Sequence, residues 1–107
     1  MTKVTTLRTP KGYAVANHFV ITNYDSNKKV EKKTFQSFDS IICIVDRHRS
    51  KITIGKNYDY SVTTSKYTAQ FFNDELGING VNRTRLRDAI KHGCLCNYSI
   101  EYNENLV

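Results

Sequence analysis

Arg83, Arg87 and Lys91 fall four residues apart, and on a helix that spacing puts all three on one ridge spanning about 80° of the circumference. Cations stacked in this way repel one another unless an anion, such as a phosphate backbone, lies against them. Asp88 offers a local counter-charge on the same segment. Lys28 and Lys29, Lys32 and Lys33, and Arg47, Arg49 and Lys51 are further basic points at the expected ends of hairpins. Edge lysines also serve to block unwanted strand pairing. If the basic turns sit at the same end of the meander as the second helix, however, they join with it into a single electropositive surface. The candidate nucleic-acid or partner-binding residues are therefore Arg83, Arg87, Lys91, Arg47, Arg49, Lys51, Lys28 and Lys29.

Other reactive groups assemble no recognisable catalytic or metal centre. His18, His48 and His92 are available as bases and Cys43, Cys94 and Cys96 as nucleophiles, but no family motif surrounds any of them. His92, Cys94 and Cys96 read H-x-C-x-C, which lacks the C-x2-C knuckle usual for structural zinc, and a fourth ligand would have to come from Cys43 or His48. Asp39, Asp46 and Asp59 have the look of turn and strand-end aspartates, and no glycine-rich phosphate loop occurs. The expectation is a protein without a metal or cofactor, acting by binding.

A chain of 107 residues is one domain that buries about 60 to 70% of its unfolded surface. The net charge of +6 is uneven: residues 1–34 carry seven basic and two acidic side chains, whereas residues 94–107 carry only Glu101 and Glu104. Such a molecule is attracted to nucleic acid or to a protein that carries it. There is no run of ~18 apolar residues for a membrane span and no apolar leader, so a cytoplasmic location is expected. Three cysteines form no disulfide framework.

The elements that must position these groups read as α+β. Pro10, beside Lys11 and Gly12, ends an extended lead-in, after which Tyr13 to Tyr24 and the segment following Lys28 form a hairpin about an Asp25–Lys28 turn. Ser40 to Asp46 is apolar enough to predict a central strand covered on both sides, and Lys51 to Ile54 completes a four-stranded antiparallel meander. Thr63 or Thr64 is expected to cap a first helix carrying Tyr67, Phe71, Phe72 and Leu76 inward and stopping at Gly77. Asn82 caps a second, which Val81 staples to Leu86 and Gly93 ends. Asn97 to Tyr102 alternates and returns as a last strand. The paired helices invite comparison with a helix-turn-helix, although the segment from Gly77 to Asn82 is long for one and a sheet precedes it.

Two segments, F35-Q-S-F-D-S-I-I42 and N57-Y-D-Y-S-V-T-T-S-K-Y67, with F71-F72 beyond, resemble a family of small, functionally unassigned domains carried by phages and other mobile elements. Its members show F-x-S-Y-x-S and W-D-Y-S-x-T-T-x-K-Y motifs; here Phe38 stands for the tyrosine and Tyr58 for the tryptophan. The resemblance covers residues 34–102 and leaves the basic N-terminal region, residues 1–33, outside. Structurally, Tyr58, Tyr60, Tyr67 and Phe71 are expected to be core aromatics. By analogy with other small phage domains, the resemblance implies a counter-defence role of the anti-CRISPR type. The expected partner is a host CRISPR effector nuclease or its guide RNA, and the alternative is a DNA-binding accessory protein using the second helix.

Overall fold

The computed structural model describes residues 1–106. Strands β1 (Thr2–Arg8), β2 (Ala14–Tyr24), β3 (Val30–Ser37), β4 (Ser40–Asp46) and β5 (Lys51–Ile54) are successive antiparallel neighbours. A 3₁₀ turn (Lys56–Asp59) leads into helix α1 (Val62–Glu75), then helix α2 (Arg83–His92), and the chain returns through β6 (Cys94–Leu95) and β7 (Tyr98–Tyr102). The strand order is β1-β2-β3-β4-β5-β7-β6. β7 runs parallel to β5, a pairing that needs the long crossover the two helices provide. The α+β class, the meander, the two helices and the returning strand are as the sequence indicates. The lead-in, however, is a full edge strand, and β6 is an added pairing on β7.

Aspartates set both turns at one end of the meander. Asp25 Oδ1 accepts from the backbone N–H of Asn27 and Lys29 at 2.8 and 3.0 Å, and Asp46 Oδ1 accepts from His48 and Arg49, each at 3.1 Å. Such side-chain turns let the chain reverse where the ladder gives no partner.

Phe35, Cys43, Val45, Ile52 and Ile54 point from the sheet toward the helices and are fully buried with Phe71, Phe72 and Leu86. Phe35 stacks on Phe71 with ring centroids 5.3 Å apart. The apolar run of β4 has a different cause from the one expected. A bulge at Ile42, where Phe35 faces Cys43 and Gln36 faces Ile41, turns Ile42 and Cys43 to the same core. Ile41 and Ile44 lie half-buried on the other face, which no described helix covers. β4 is therefore central but covered on one side only.

The helix ends follow their capping chemistry. Ser61, not Thr63 or Thr64, caps α1, its hydroxyl accepting from Thr64 N–H at 3.0 Å. Asn82 caps α2 by accepting from Arg85 N–H at 2.8 Å, and Gly93, at φ 80°, ends it. The Asn73 amide joins the helices, accepting from Val81 N–H at 2.9 Å and donating to Val81 C=O at 3.2 Å. No described helix is long and apolar enough to cross a membrane.

Candidate functional site

Alternate turns of a meander fall at the same end of the sheet, so the β2–β3 turn with Lys28 and Lys29 lies beside the β4–β5 turn with Arg47 and Arg49. His48 Nε2 meets Asp25 Oδ2 at 3.0 Å and ties the two together. Asp25 is held below the ordinary carboxylate range, first by the Lys29 N–H and also by Asn27 and His48. Lys28, Lys29 and Arg47 are exposed and have no carboxylate partner among the described residues, whereas Arg49 lies 4.0 Å from Asp46. Lys51 is drawn to Glu101 at 2.5 Å on the neighbouring strand. The candidate cations of this end thus form one cluster, from which Lys51 is partly withdrawn.

The ridge on α2 is arranged differently. Asp59, in the 3₁₀ turn, receives Arg83 Nε at 2.7 Å and Arg87 Nη2 at 3.5 Å, and the Ser65 hydroxyl donates to it at 2.7 Å. Ser65 first, and then the two arginines, hold the Asp59 carboxyl below its usual range. Lys91 is the one member of the ridge without a carboxylate among the described residues. Arg85, left out of the sequence candidates, donates to Asn79 C=O at 2.5 Å and to Cys96 Sγ at 3.3 Å. Two of the three ridge cations therefore fasten α2 to the turn before α1, and the anion that the spacing anticipates is supplied within the chain.

At the end of the sheet away from the basic turns lies a cavity of about 560 Å³. It is lined by His18, Ser37, Phe38, Ser40, Ile42, Asn57, Tyr60, Ser61, Thr63 and Thr64. Apart from His18, every one of these residues belongs to the two segments that carry the family resemblance. The core-aromatic expectation fails at Tyr60, which is 82% exposed at this cavity, while Tyr58 and Tyr67 are only partly buried. His18 and Ser37 are buried and face each other across β2 and β3. His18 Nδ1 lies 2.8 Å from Ala16 C=O, which can only accept, so in the neutral ring Nδ1 carries the proton. Nε2 then accepts from the Ser37 hydroxyl at 3.1 Å.

Backbone strain brackets this pair. Asn17 (φ 61°) and Phe38 (φ 53°) occupy the left-handed region, which is costly for a bulky residue such as Phe. The Phe38 N–H donates to Asn17 C=O at 2.7 Å. An acyl-transfer site would want the N–H following the serine free for an oxyanion, and here it is engaged. A histidine and a serine nineteen positions apart carry no sequence signal of their pairing; only the strand register brings them together.

The H-x-C-x-C segment does not converge. His92 Nδ1 donates to Asp88 C=O at 2.7 Å, Cys94 and Cys96 are exposed, and Cys43 is buried in the core with its thiol pushed far up by desolvation. Among the described residues no three His, Cys, Asp or Glu side chains come together to hold a metal ion.

No curated protein and no solved structure matches the chain. One family model does, over residues 3–90. That span takes in the N-terminal strands that the motif resemblance leaves out, and stops short of β6 and β7. With the greater part of its length matched, from the first strand into α2, the chain belongs to a family of unknown function, DUF8033.

Proposed function

We propose that this protein is a non-enzymatic binding protein of phages or other mobile elements, one that engages a nucleic-acid-dependent host effector through its basic end. The observation that carries the reading is the gathering of Lys28, Lys29, Arg47 and Arg49 on two adjoining turns tied by the His48–Asp25 contact. A cluster of exposed cations with few internal partners is favoured where phosphates or acidic groups lie against it. Within that reading, the specific role is counter-defence of the anti-CRISPR type, with a CRISPR effector nuclease or its guide RNA as the partner.

The test is a salt-titrated mobility shift with duplex DNA, single-stranded RNA and a guide-loaded effector nuclease side by side. A shift with the loaded effector that is lost in Lys28→Glu/Arg47→Glu is expected; no shift with any of the three would end the proposal. The DNA-binding alternative rests on α2, where Lys91 remains outward but Arg83 and Arg87 are held by Asp59. It requires Arg87→Ala to weaken duplex binding, and the first reading requires it not to.

A further inference from the structure

The geometry points to the cavity between the Ser37–Ser40 turn and the first turn of α1 as a pocket for one unstacked nucleobase. This rests on the proposed engagement of a nucleic-acid-bearing partner and names which part of the nucleic acid the protein reads. Three properties of the lining carry it.

The first is the placement of aromatic rings. Phe38 and Tyr60 line the cavity yet are 60% and 82% exposed, so they stand at its mouth. Exposed rings beside a cavity suit a flat partner that stacks on them, and single-stranded nucleic acid is commonly held in this way. Phe38 is kept there at φ 53°, a conformation that a surface turn of ordinary composition would give to Gly or Asn.

The second is the polar inventory. Asn57 offers an amide, Ser40 and Thr63 offer hydroxyls, and none of these side chains has a hydrogen-bond partner among the described residues. An amide that both donates and accepts, flanked by hydroxyls, matches the edge of a base.

The third is charge. No Lys, Arg, Asp or Glu lines the cavity, so the group recognised there is a neutral hydrogen-bonding ring rather than a phosphate. Phosphate attraction belongs to the basic end. The eight residues of β3 separate the two by about 25 Å, or roughly seven stacked nucleotides at about 3.4 Å each.

The experiment uses the full chain and three probes: free adenosine, cytidine, guanosine and uridine followed by 15N chemical shifts, a labelled mixed-sequence 12-nucleotide single strand, and the matching 12-base-pair duplex. Saturable shifts centred on Asn57, Thr63 and Ser37 with at least one nucleoside are expected, with single strand bound about 10-fold tighter than duplex. Tyr60→Ala, at a side chain too exposed to support the fold, should abolish that preference while leaving duplex binding unchanged. Lys28→Ala/Arg47→Ala should weaken both strands and leave the nucleoside shifts intact. Nucleoside shifts without oligonucleotide binding would support the pocket and overturn a role for the basic end on bare nucleic acid. Absence of nucleoside shifts, or a Tyr60→Ala variant that keeps the single-strand preference, overturns the pocket whatever the basic end does.

Discussion

Asp59→Asn removes one charge and almost nothing else, so it isolates what fastens α2 to the turn before α1. The asparagine keeps the size of the side chain and an acceptor for Ser65. Arg83 and Arg87 lie 2.7 and 3.5 Å from the carboxylate with their side chains 45% and 58% exposed, a setting in which each pair contributes about 0.2 to 1 kcal/mol. The Ser65 hydrogen bond, 2.7 Å long, loses its ionic character and weakens by about 0.5 to 1 kcal/mol. The expected loss is therefore about 1 to 3 kcal/mol. For 107 residues with an unfolding entropy of about 2.1 cal/mol/K each, that lowers Tm by roughly 4 to 13 °C. The pH dependence has a definite sign. Asp59 is held below its ordinary range in the folded protein, so its contribution is fully present above the unfolded carboxylate value near ~3.9 and disappears as pH falls through the lower folded value. Thermal unfolding of both proteins from pH 7 down to pH 3 should show the Tm gap closing on the acid side. Equal Tm at pH 7, or a gap that ignores pH, would refute the assignment of Asp59 as the shared counter-charge.

Three further outcomes follow from single features. A Cβ on Gly55 would stand 2.5 Å from Leu106 C=O although its φ of −95° suits any residue; Gly55→Ala should cost about 1 to 3 kcal/mol in urea unfolding, and the cost should vanish in a chain ending at Asn103. Cys43 is buried with its thiol pushed well above the ordinary range, while Cys94 and Cys96 are exposed; maleimide should add twice to the native protein and three times in denaturant, read by intact mass. If Lys28, Lys29, Arg47 and Arg49 each neutralise one phosphate of a single strand, affinity should fall about 50-fold from 50 to 200 mM salt; in Lys28→Ala/Arg47→Ala the same change should cost only about 7-fold, and an unaltered slope would remove these residues from the interface.

The sequence discloses the elements better than their placement. Capping and stop residues are local, so Asn82, Gly93 and the second helix are legible, and so are Asp25 and Asp46 at their turns. The cap of α1 is misread by two or three positions because S-V-T-T offers three hydroxyls within four residues and only register with the 3₁₀ turn selects Ser61. β4 reads as a strand buried on two faces because a bulge mimics that pattern: Ile42 and Cys43 are adjacent, yet both meet one core. The basic turns are legible as turns, but their adjacency rests on the strand order and the His48–Asp25 contact of the folded sheet. Asp59 as the partner of Arg83 and Arg87 spans more than twenty residues and is a tertiary event. The cavity is the least legible, since His18 comes from β2 and the rest from segments whose aromatic content suggests a core.

Several irregularities of the sheet border that cavity. The β1–β2 register shifts between Thr6 and Arg8, β4 bulges at Ile42, and Asn17 and Phe38 adopt left-handed backbone on either side of the His18–Ser37 pair. Two apolar residues at positions 18 and 37 would fill the same space with a regular ladder and no polar group to satisfy. The fold instead keeps a histidine and a serine next to the left-handed Asn17 and Phe38, and strain that packing over-determines is commonly found at binding sites. The opposite end also carries a register shift, between Asn23 and Tyr24, and left-handed Lys28 and Ser50 in its turns, but there exposed cations lie outermost. Charge provides attraction and orientation with little discrimination, whereas neutral hydrogen-bonding groups on a rigid frame discriminate. On the proposed function the two ends divide these tasks, so loss of cations should weaken all partners alike, and change within the cavity should alter which partner is chosen.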